Sequence, residues 1–158
     1  FLLENKWPLS EEKVKVPLFF RGSGIIKTLN TDLFSTTDYL PTLLNLADMD
    51  KRISTRLQMD GSVINLRRSS APCVKRFAIS ESIFPGQTYK ASLFSDNSTF
   101  YVESDEVLSE SDLNRLFLKN LKFKVLKVNT KRGIPKTSTA SESEAQACIA
   151  ALLNRKQK

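Results

Sequence analysis

The chain has 158 residues, with 24 lysines and arginines, 17 aspartates and glutamates, and no histidine. Its length can bury a sizeable core, and a composition of 41% hydrophobic and 26% charged residues is that of a globular protein, not a disordered or fibrous one. The lack of histidine excludes histidine-based triads, histidine metal ligands and histidine acid–base catalysis. No apolar run approaches the roughly 20 residues that a membrane span needs.

The first half of the chain predicts a strand followed by a helix. Residues Val14–Phe20 form an apolar run that ends in a glycine-containing turn, which predicts a largely buried strand. In the next segment, Thr37 or Asp38 can cap a helix that extends to Ala47. A cap is a better interpretation of Asp38 than a metal ligand, because no second carboxylate clusters with it. The predicted buried stripe of this helix is Leu40, Leu43, Leu44 and Ala47.

A polar connection from Asp48 to Pro72 contains an Asp60-Gly61 turn, and we place a domain boundary there. Beyond it, the pattern predicts a small antiparallel sheet with a terminal packing helix. The predicted elements are a strand over Arg76–Ser82, a hairpin of Tyr89–Ser95 and Ser98–Glu103 around Asp96-Asn97, a short helix over Ser109–Phe117, a strand over Leu121–Val125 and a mobile loop over Asn129–Ala140.

The last helix begins with a capping box, because Ser141 is followed three residues later by Glu144. Its predicted buried face is Ala145, Cys148, Ile149, Leu152 and Leu153. Cys73 and Cys148 share no metal or redox spacing, so either one disulfide or two thiols fits, and two buried thiols are favoured. The predicted class is therefore α/β to α+β, with domains at 1–70 and 71–158.

The net charge of +7 comes from one basic segment between Leu113 and Lys136, which contains no acid. Its basic residues are Arg115, Lys119, Lys122, Lys124, Lys127, Lys131, Arg132 and Lys136. Such a segment could bind nucleic acid, an anionic membrane or a sulfated polyanion. We favour a solvated strand face, because Phe117 and Phe123 both fit inward positions and leave no stacking platform.

Four short motifs occur in a fixed order in the first 62 residues. Lys6 precedes an acidic pair, Glu11-Glu12, and then a Val-Pro run that ends in Arg21-Gly22-Ser23-Gly24. A segment with Asp38, Pro41 and Thr42 follows, and then Asp60-Gly61-Ser62. In this order and spacing, the chain resembles the C-terminal part of the sulfatase family within the alkaline-phosphatase superfamily.

The resemblance implies that this chain is the end of a sulfatase-like α/β core, a strand and a helix, followed by a small α+β subdomain. It implies that Lys6 contacts the sulfate; the alternative for Lys6 is an exposed loop lysine beside Trp7. The family's formylglycine nucleophile and most of its calcium ligands belong to an upstream part of the polypeptide. We therefore expect no cofactor in this chain and no activity from it alone.

The expected partners are that upstream catalytic part and, for the parent enzyme, a sulfated small molecule or glycan; nucleic acid is disfavoured. A periplasmic, lysosomal or secreted parent would fit the resemblance. Two alternatives stay open: a basic, non-catalytic module that binds polyanions or nucleic acid, and a phosphate-transferring relative. The chain opens on Phe1 without a basic region or a small-residue cleavage site, so we expect a fragment and no signal peptide here.

Overall fold

The computed structural model describes residues 9–27, 29, 33–49, 59, 61–67, 77–95, 97–109, 121–129 and 136–155. The chain divides into two compact units. The sheet unit consists of Phe1–Val16 and Arg76–Lys158, and the helix unit consists of Pro17–Lys75. The predicted division into 1–70 and 71–158 stays a prediction.

The sheet unit contains a five-stranded antiparallel sheet in which every strand pairs with its neighbour in the chain. The strands are β1 (Ala78–Ser82), β2 (Thr88–Phe94), β3 (Ser98–Val107), β4 (Phe123–Asn129) and β5 (Lys136–Thr139). The predicted hairpin is confirmed: Phe94 pairs with Thr99, and the Ser95 amide donates to the Ser98 carbonyl at 2.9 Å. The fold class that the structure shows is α+β.

One face of the sheet packs against helix α3 (Glu142–Arg155), which completes the main core. The buried residues of this core are Tyr89, Ala91, Leu93, Phe100, Val102, Leu108, Val125, Cys148 and Leu152. On the opposite face, Tyr101 and Val128 are buried and pack against Leu9 and Leu126. Both faces of the sheet are therefore covered at their centres.

The end of the chain follows its predicted pattern except at β5. Val125 is buried while Lys122 and Lys124 are exposed, which confirms the alternation of β4. The prediction of a loop over Asn129–Ala140 was wrong where β5 pairs with β4. The β5 residues are threonine, serine and lysine, a composition typical of loops, but the ladder with β4 satisfies their backbone and β-branched threonine fits a pleated strand. The predicted helix over Ser109–Phe117 lies outside the described residues, apart from Ser109 itself.

The capping box of α3 is confirmed. The Glu144 amide donates to Ser141 Oγ at 3.4 Å, and the Ser141 amide donates to Glu144 Oε2 at 3.0 Å. Lys127 Nζ lies 2.5 Å from Glu144 Oε1 and, together with these bonds, holds the pKa of Glu144 below its usual range. The predicted buried face is also confirmed, with Cys148 and Leu152 almost completely enclosed.

The Cys148 thiol is free and fully buried, and burial raises its pKa to about 11, with a smaller contribution from the negative Glu144. Its ordinary value is 9.0, so at pH 8 the folded state holds about 100-fold less thiolate than the unfolded chain. We expect Cys148 to react with iodoacetamide at least about 100-fold more slowly in the native protein than in denaturant. Alkylation followed by peptide mass spectrometry measures both rates.

The raised pKa also predicts how stability depends on pH. A buried neutral thiol favours the folded state below pH 9.0, and this contribution is lost as the pH rises toward about 11, since the unfolded chain ionises first. Equal native and denatured alkylation rates at pH 8 would contradict this assignment. Cys73 lies outside the residues that the structure describes.

The helix unit contains a 3₁₀ turn (Thr36–Asp38) that continues directly into helix α2 (Tyr39–Leu46), as the sequence predicted. Pro41 stands in the first turn of α2, where its missing amide proton leaves no intrahelical hydrogen bond unmade. The helix ends at Leu46, and the chain then turns at Asp48, a non-glycine residue at a positive φ of 55°. Just after this turn, the Met49 amide donates to the Leu44 carbonyl at 2.8 Å. This turn satisfies carbonyls that the end of α2 would otherwise leave unpaired.

The predicted strand over Val14–Phe20 was wrong. Val14 ends a short helix, α1 (Glu11–Val14), and no strand is assigned between residues 15 and 27. Phe19 is 87% exposed instead of buried. A strand requires a neighbour to pair with its amides and carbonyls, and no described strand lies beside this segment.

Within the described residues, no helix combines the length and the apolar character that a bilayer span requires.

Candidate functional site

The buried carboxylate of Asp38 joins two parts of the helix unit that are distant in the sequence. Asp38 is 0% exposed. Its Oδ2 accepts from the Ser35 amide at 2.8 Å, and its Oδ1 accepts from the Ser62 amide, 24 residues further along, also at 2.8 Å. Hydrogen bonds to an ionised acceptor are stronger than those between neutral groups, so this carboxylate fixes both segments at once.

The local contact of Asp38 is part of a capping box. Ser35 is the N-cap of the 3₁₀ turn; its side chain accepts from the Asp38 amide while the Asp38 side chain accepts from the Ser35 amide. The sequence predicted Asp38 or Thr37 as the cap of the helix. Asp38 does stand at the N-cap position of α2, but its side chain makes no capping hydrogen bond there. The capping side chain is that of Ser35, at the start of the 3₁₀ turn. Asp38 reaches back to the cap from the third position of the turn, which is the position of the acidic residue in such a box.

A second long-range hydrogen bond lies one helical turn further along α2. Thr42 is 0% exposed, and its Oγ1 accepts from the amide of Ile64 at 2.9 Å. Asp38 and Thr42 are four residues apart, so they lie on the same face of the turn and helix. Ser62 and Ile64 are two residues apart, so alternate amides of this segment reach the two acceptors.

Gly61 allows this close approach. A Cβ added to it would lie 1.9 Å from the Thr37 carbonyl oxygen and 2.8 Å from the Asp38 amide nitrogen. Both atoms are backbone, so a side chain cannot be accommodated by a change of rotamer. We call Asp38, Thr42, Gly61, Ser62 and Ile64 the Asp38 clamp.

Further contacts hold the rest of the clamped segment. The Ile26 amide donates to the Leu66 carbonyl at 3.0 Å, and Arg67 Nη2 donates to the Leu46 carbonyl at 3.0 Å. Arg67 Nη1 also lies 3.5 Å from Asp48 Oδ1 on the surface. Residues 61–67 are thus attached to the end of α2 as well as to its beginning.

The predicted buried stripe of α2 was wrong, because a different face of the helix lies against the segment of the Asp38 clamp. Leu40 and Leu43 are 51% and 54% exposed, and Ala47 is also exposed; of the predicted stripe, only Leu44 is even half-buried. The enclosed face instead carries Asp38, Pro41 and Thr42. The 3₁₀ turn and α2 present hydrogen-bond acceptors to the amides of Ser62 and Ile64, and the apolar periodicity of the sequence marks the outward face.

The Asp38 clamp holds backbone segments in position: it fixes residues 61–64 against the 3₁₀ turn and α2. Both oxygens of Asp38 accept backbone hydrogen bonds, which is how a carboxylate fixes main-chain segments. Among the described residues, no group of three or more histidine, cysteine, aspartate or glutamate side chains could hold a metal ion.

Lys6, the predicted catalytic residue, lies outside the residues that the structure describes, and so does Asp60. The structure does bring together two of the four sequence motifs: the segment with Asp38, Pro41 and Thr42, and the segment with Gly61 and Ser62. The sequence did not predict that Ser62 and Ile64 donate hydrogen bonds to the Asp38 clamp. The donors are backbone amides, and almost every residue type has one, so the side chains at these positions give no signal.

The described part of the basic segment does not form a continuous field of unpaired cations. Lys124 Nζ lies 3.1 Å from Asp105 Oδ1. Lys127 pairs with Glu144 and also lies over the Phe100 ring, 5.9 Å from its centroid. These pairs favour the interpretation of a solvated strand face for this stretch of β4.

Comparison of the chain with protein-family models, with curated proteins and with solved structures finds no match in any of the three.

Proposed function

We propose that this chain is the C-terminal part of a sulfatase-like hydrolase whose intact form cleaves sulfate esters. The observation that carries the proposal is the Asp38 clamp. The two motifs with Asp38 and Gly61 are separated by 23 positions in the sequence, yet they meet through one buried and one part-buried hydrogen bond and a glycine with no room for a side chain. If the four motifs resembled those of the family only by chance, nothing would require two of them to lie in contact.

The exposed apolar residues of the helix unit support the same proposal. Leu40 and Leu43 lie on the outward face of α2, and Phe19 and Leu29 are 87% and 89% exposed. Such residues are rarely left in water when they lie close together on an element. In our proposal the upstream catalytic part of the same polypeptide covers this outward face of α2 and pairs with the unpaired segment around Phe19.

Hydrolysis of a sulfate ester needs a nucleophile, and positive charge that stabilises the sulfuryl oxygens in the transition state. Calcium and formylglycine, when present in the upstream part, supply the cation and the nucleophile. In this chain, Lys6 is the proposed contributor: its ammonium group donates hydrogen bonds to the anionic sulfate and the leaving oxygen. The clamp does not touch substrate in this proposal; it fixes the scaffold that follows Lys6.

The experiment is a hydrolysis assay on the intact parent enzyme with an aryl sulfate and an aryl phosphate that share one leaving group. We expect sulfate hydrolysis to dominate and this chain to be inactive alone. Dominant phosphate hydrolysis would favour the phosphate-transferring relative. Hydrolysis of neither ester, together with salt-sensitive binding of nucleic acid or a sulfated glycan, would leave the basic binding module as the function.

The Lys6→Ala variant tests the role of Lys6 directly. Removing one donor to a developing anion lowers kcat by roughly 10²-fold or more, and we expect this loss in the intact enzyme. The matched control is Lys13→Ala, since Lys13 is an exposed lysine in the last turn of α1. An unchanged kcat in Lys6→Ala, or an equal loss in both variants, would contradict the assignment.

A further inference from the structure

The turn between β2 and β3 carries a modification signal that the sulfatase proposal does not use. Asn97-Ser98-Thr99 has the pattern of an N-linked glycan acceptor: asparagine, a residue other than proline, then a hydroxyl residue. No other asparagine of the 158 residues has serine or threonine two positions later. The signal therefore points to a single position.

The structure places the parts of this signal in different environments. Asn97 is exposed at the tip of the hairpin, whereas Ser98 and Thr99 are 8% and 2% exposed within β3. The hydrogen bonds that close the turn join the Ser95 amide and hydroxyl to the Ser98 carbonyl, each at 2.9 Å. Neither of these bonds involves the Asn97 side chain, so a large group attached to it would leave both in place and extend into solvent.

We propose that Asn97 is the acceptor of an N-linked oligosaccharide when the chain is synthesised into the lumen of the endoplasmic reticulum. In the transfer step, the Asn97 Nδ2 attacks the anomeric carbon of an oligosaccharide activated as a lipid pyrophosphate. A nitrogen–carbon bond forms, the carbon–oxygen bond to the pyrophosphate breaks, the lipid pyrophosphate leaves, and the amide nitrogen gives up one proton to a base.

The burial of Thr99 sets the order of events. The transferring enzyme must recognise the Thr99 hydroxyl beside the amide, and this residue is 2% exposed once β3 pairs with its neighbours. Transfer therefore precedes closure of the β2–β3 hairpin. Afterwards the exposed turn carries the glycan while the ladder from Phe94 and Thr99 onward stays intact.

The experiment expresses the full chain behind a secretory leader in eukaryotic cells and treats the secreted protein with a peptide N-glycosidase. We expect one discrete increase in electrophoretic mobility, with Asn97 converted to aspartate in the released peptide. Asn97→Gln should abolish the step, because glutamine is not an acceptor, and Thr99→Ser should retain it. Asn154→Gln, which changes an exposed asparagine of α3, should leave it unchanged.

Secreted protein whose Asn97 is unmodified would overturn the proposal, and so would a mobility step that persists in Asn97→Gln. This result is independent of sulfate hydrolysis, so the two proposals can fail separately. Because Asn97 is an exposed turn residue, its replacement does not remove any core contact, and the secreted yield of the variant checks its folding.

Discussion

The Gly61→Ala substitution should destabilise the helix unit by about 3 kcal/mol or more. The added methyl group would lie 1.9 Å from the Thr37 carbonyl oxygen, and the obstructing atoms are backbone. The segment must therefore move away from the turn, and that movement breaks the bond from the Ser62 amide to Asp38. Hydrogen exchange of the Ser62 and Ile64 amides measures the loss directly, since both donate into the Asp38 clamp.

Gly22→Ala is the matched control for this substitution. Its added Cβ would lie 3.4 Å from a side-chain carbon of Ile25, an ordinary contact with an atom that can shift. We expect a change within about 0.5 kcal/mol, as for most surface substitutions. Similar protection of Ile64 in both variants would show that Gly61 is not required for the close approach.

The Asp38→Ala substitution should cost about 3 to 6 kcal/mol, since it removes two hydrogen bonds to a charged acceptor, each worth about 1.5 to 3 kcal/mol. It also leaves the amides of Ser35 and Ser62 without their acceptor. Asp38→Asn keeps the volume but replaces one accepting oxygen by a donor, so we expect an intermediate loss. Chemical denaturation of each variant, followed together with amide exchange at Ser62, measures these effects.

The control for Asp38→Asn is the same chemical change at Asp48. The Asp48 side chain is 82% exposed, and its contact with Arg67 is 3.5 Å long, so the ion pair contributes little. Asparagine also tolerates the positive φ of 55° at this position. A loss at Asp48 as large as that at Asp38 would contradict the special role of the buried carboxylate.

The sheet unit was largely predictable because its signals are local. Alternation in β4, the polar turn between β2 and β3, and the Ser141–Glu144 box each depend on residues within a few positions of one another. β5 was missed because its stability comes from the ladder to β4 and not from its own composition. Threonine, serine and lysine in a row look like a loop until a partner strand is present.

For the Asp38 clamp, the sequence predicted which motifs take part but not the contacts between them. The resemblance placed Asp38 and Gly61 in one pattern, but the sequence could not show that the carboxylate meets the Ser62 amide. The apolar spacing of Leu40 and Leu43 predicted the wrong buried face for α2, since periodicity reveals an apolar side of a helix but not what lies against it. The strand over Val14–Phe20 failed for a related reason: a sequence specifies a strand's composition, not its neighbour.

The contact of Leu9 with Tyr101 and Val128 has a consequence for the order of folding. Every ladder of the sheet joins strands that are consecutive in the chain, so the sheet can form early from short loops. Leu9 joins it only after the ends of a much longer loop, which includes the whole helix unit, have come together. We therefore expect Leu9 to be the last of these packed residues to join the sheet as the protein folds, and the first to separate from it when the protein opens.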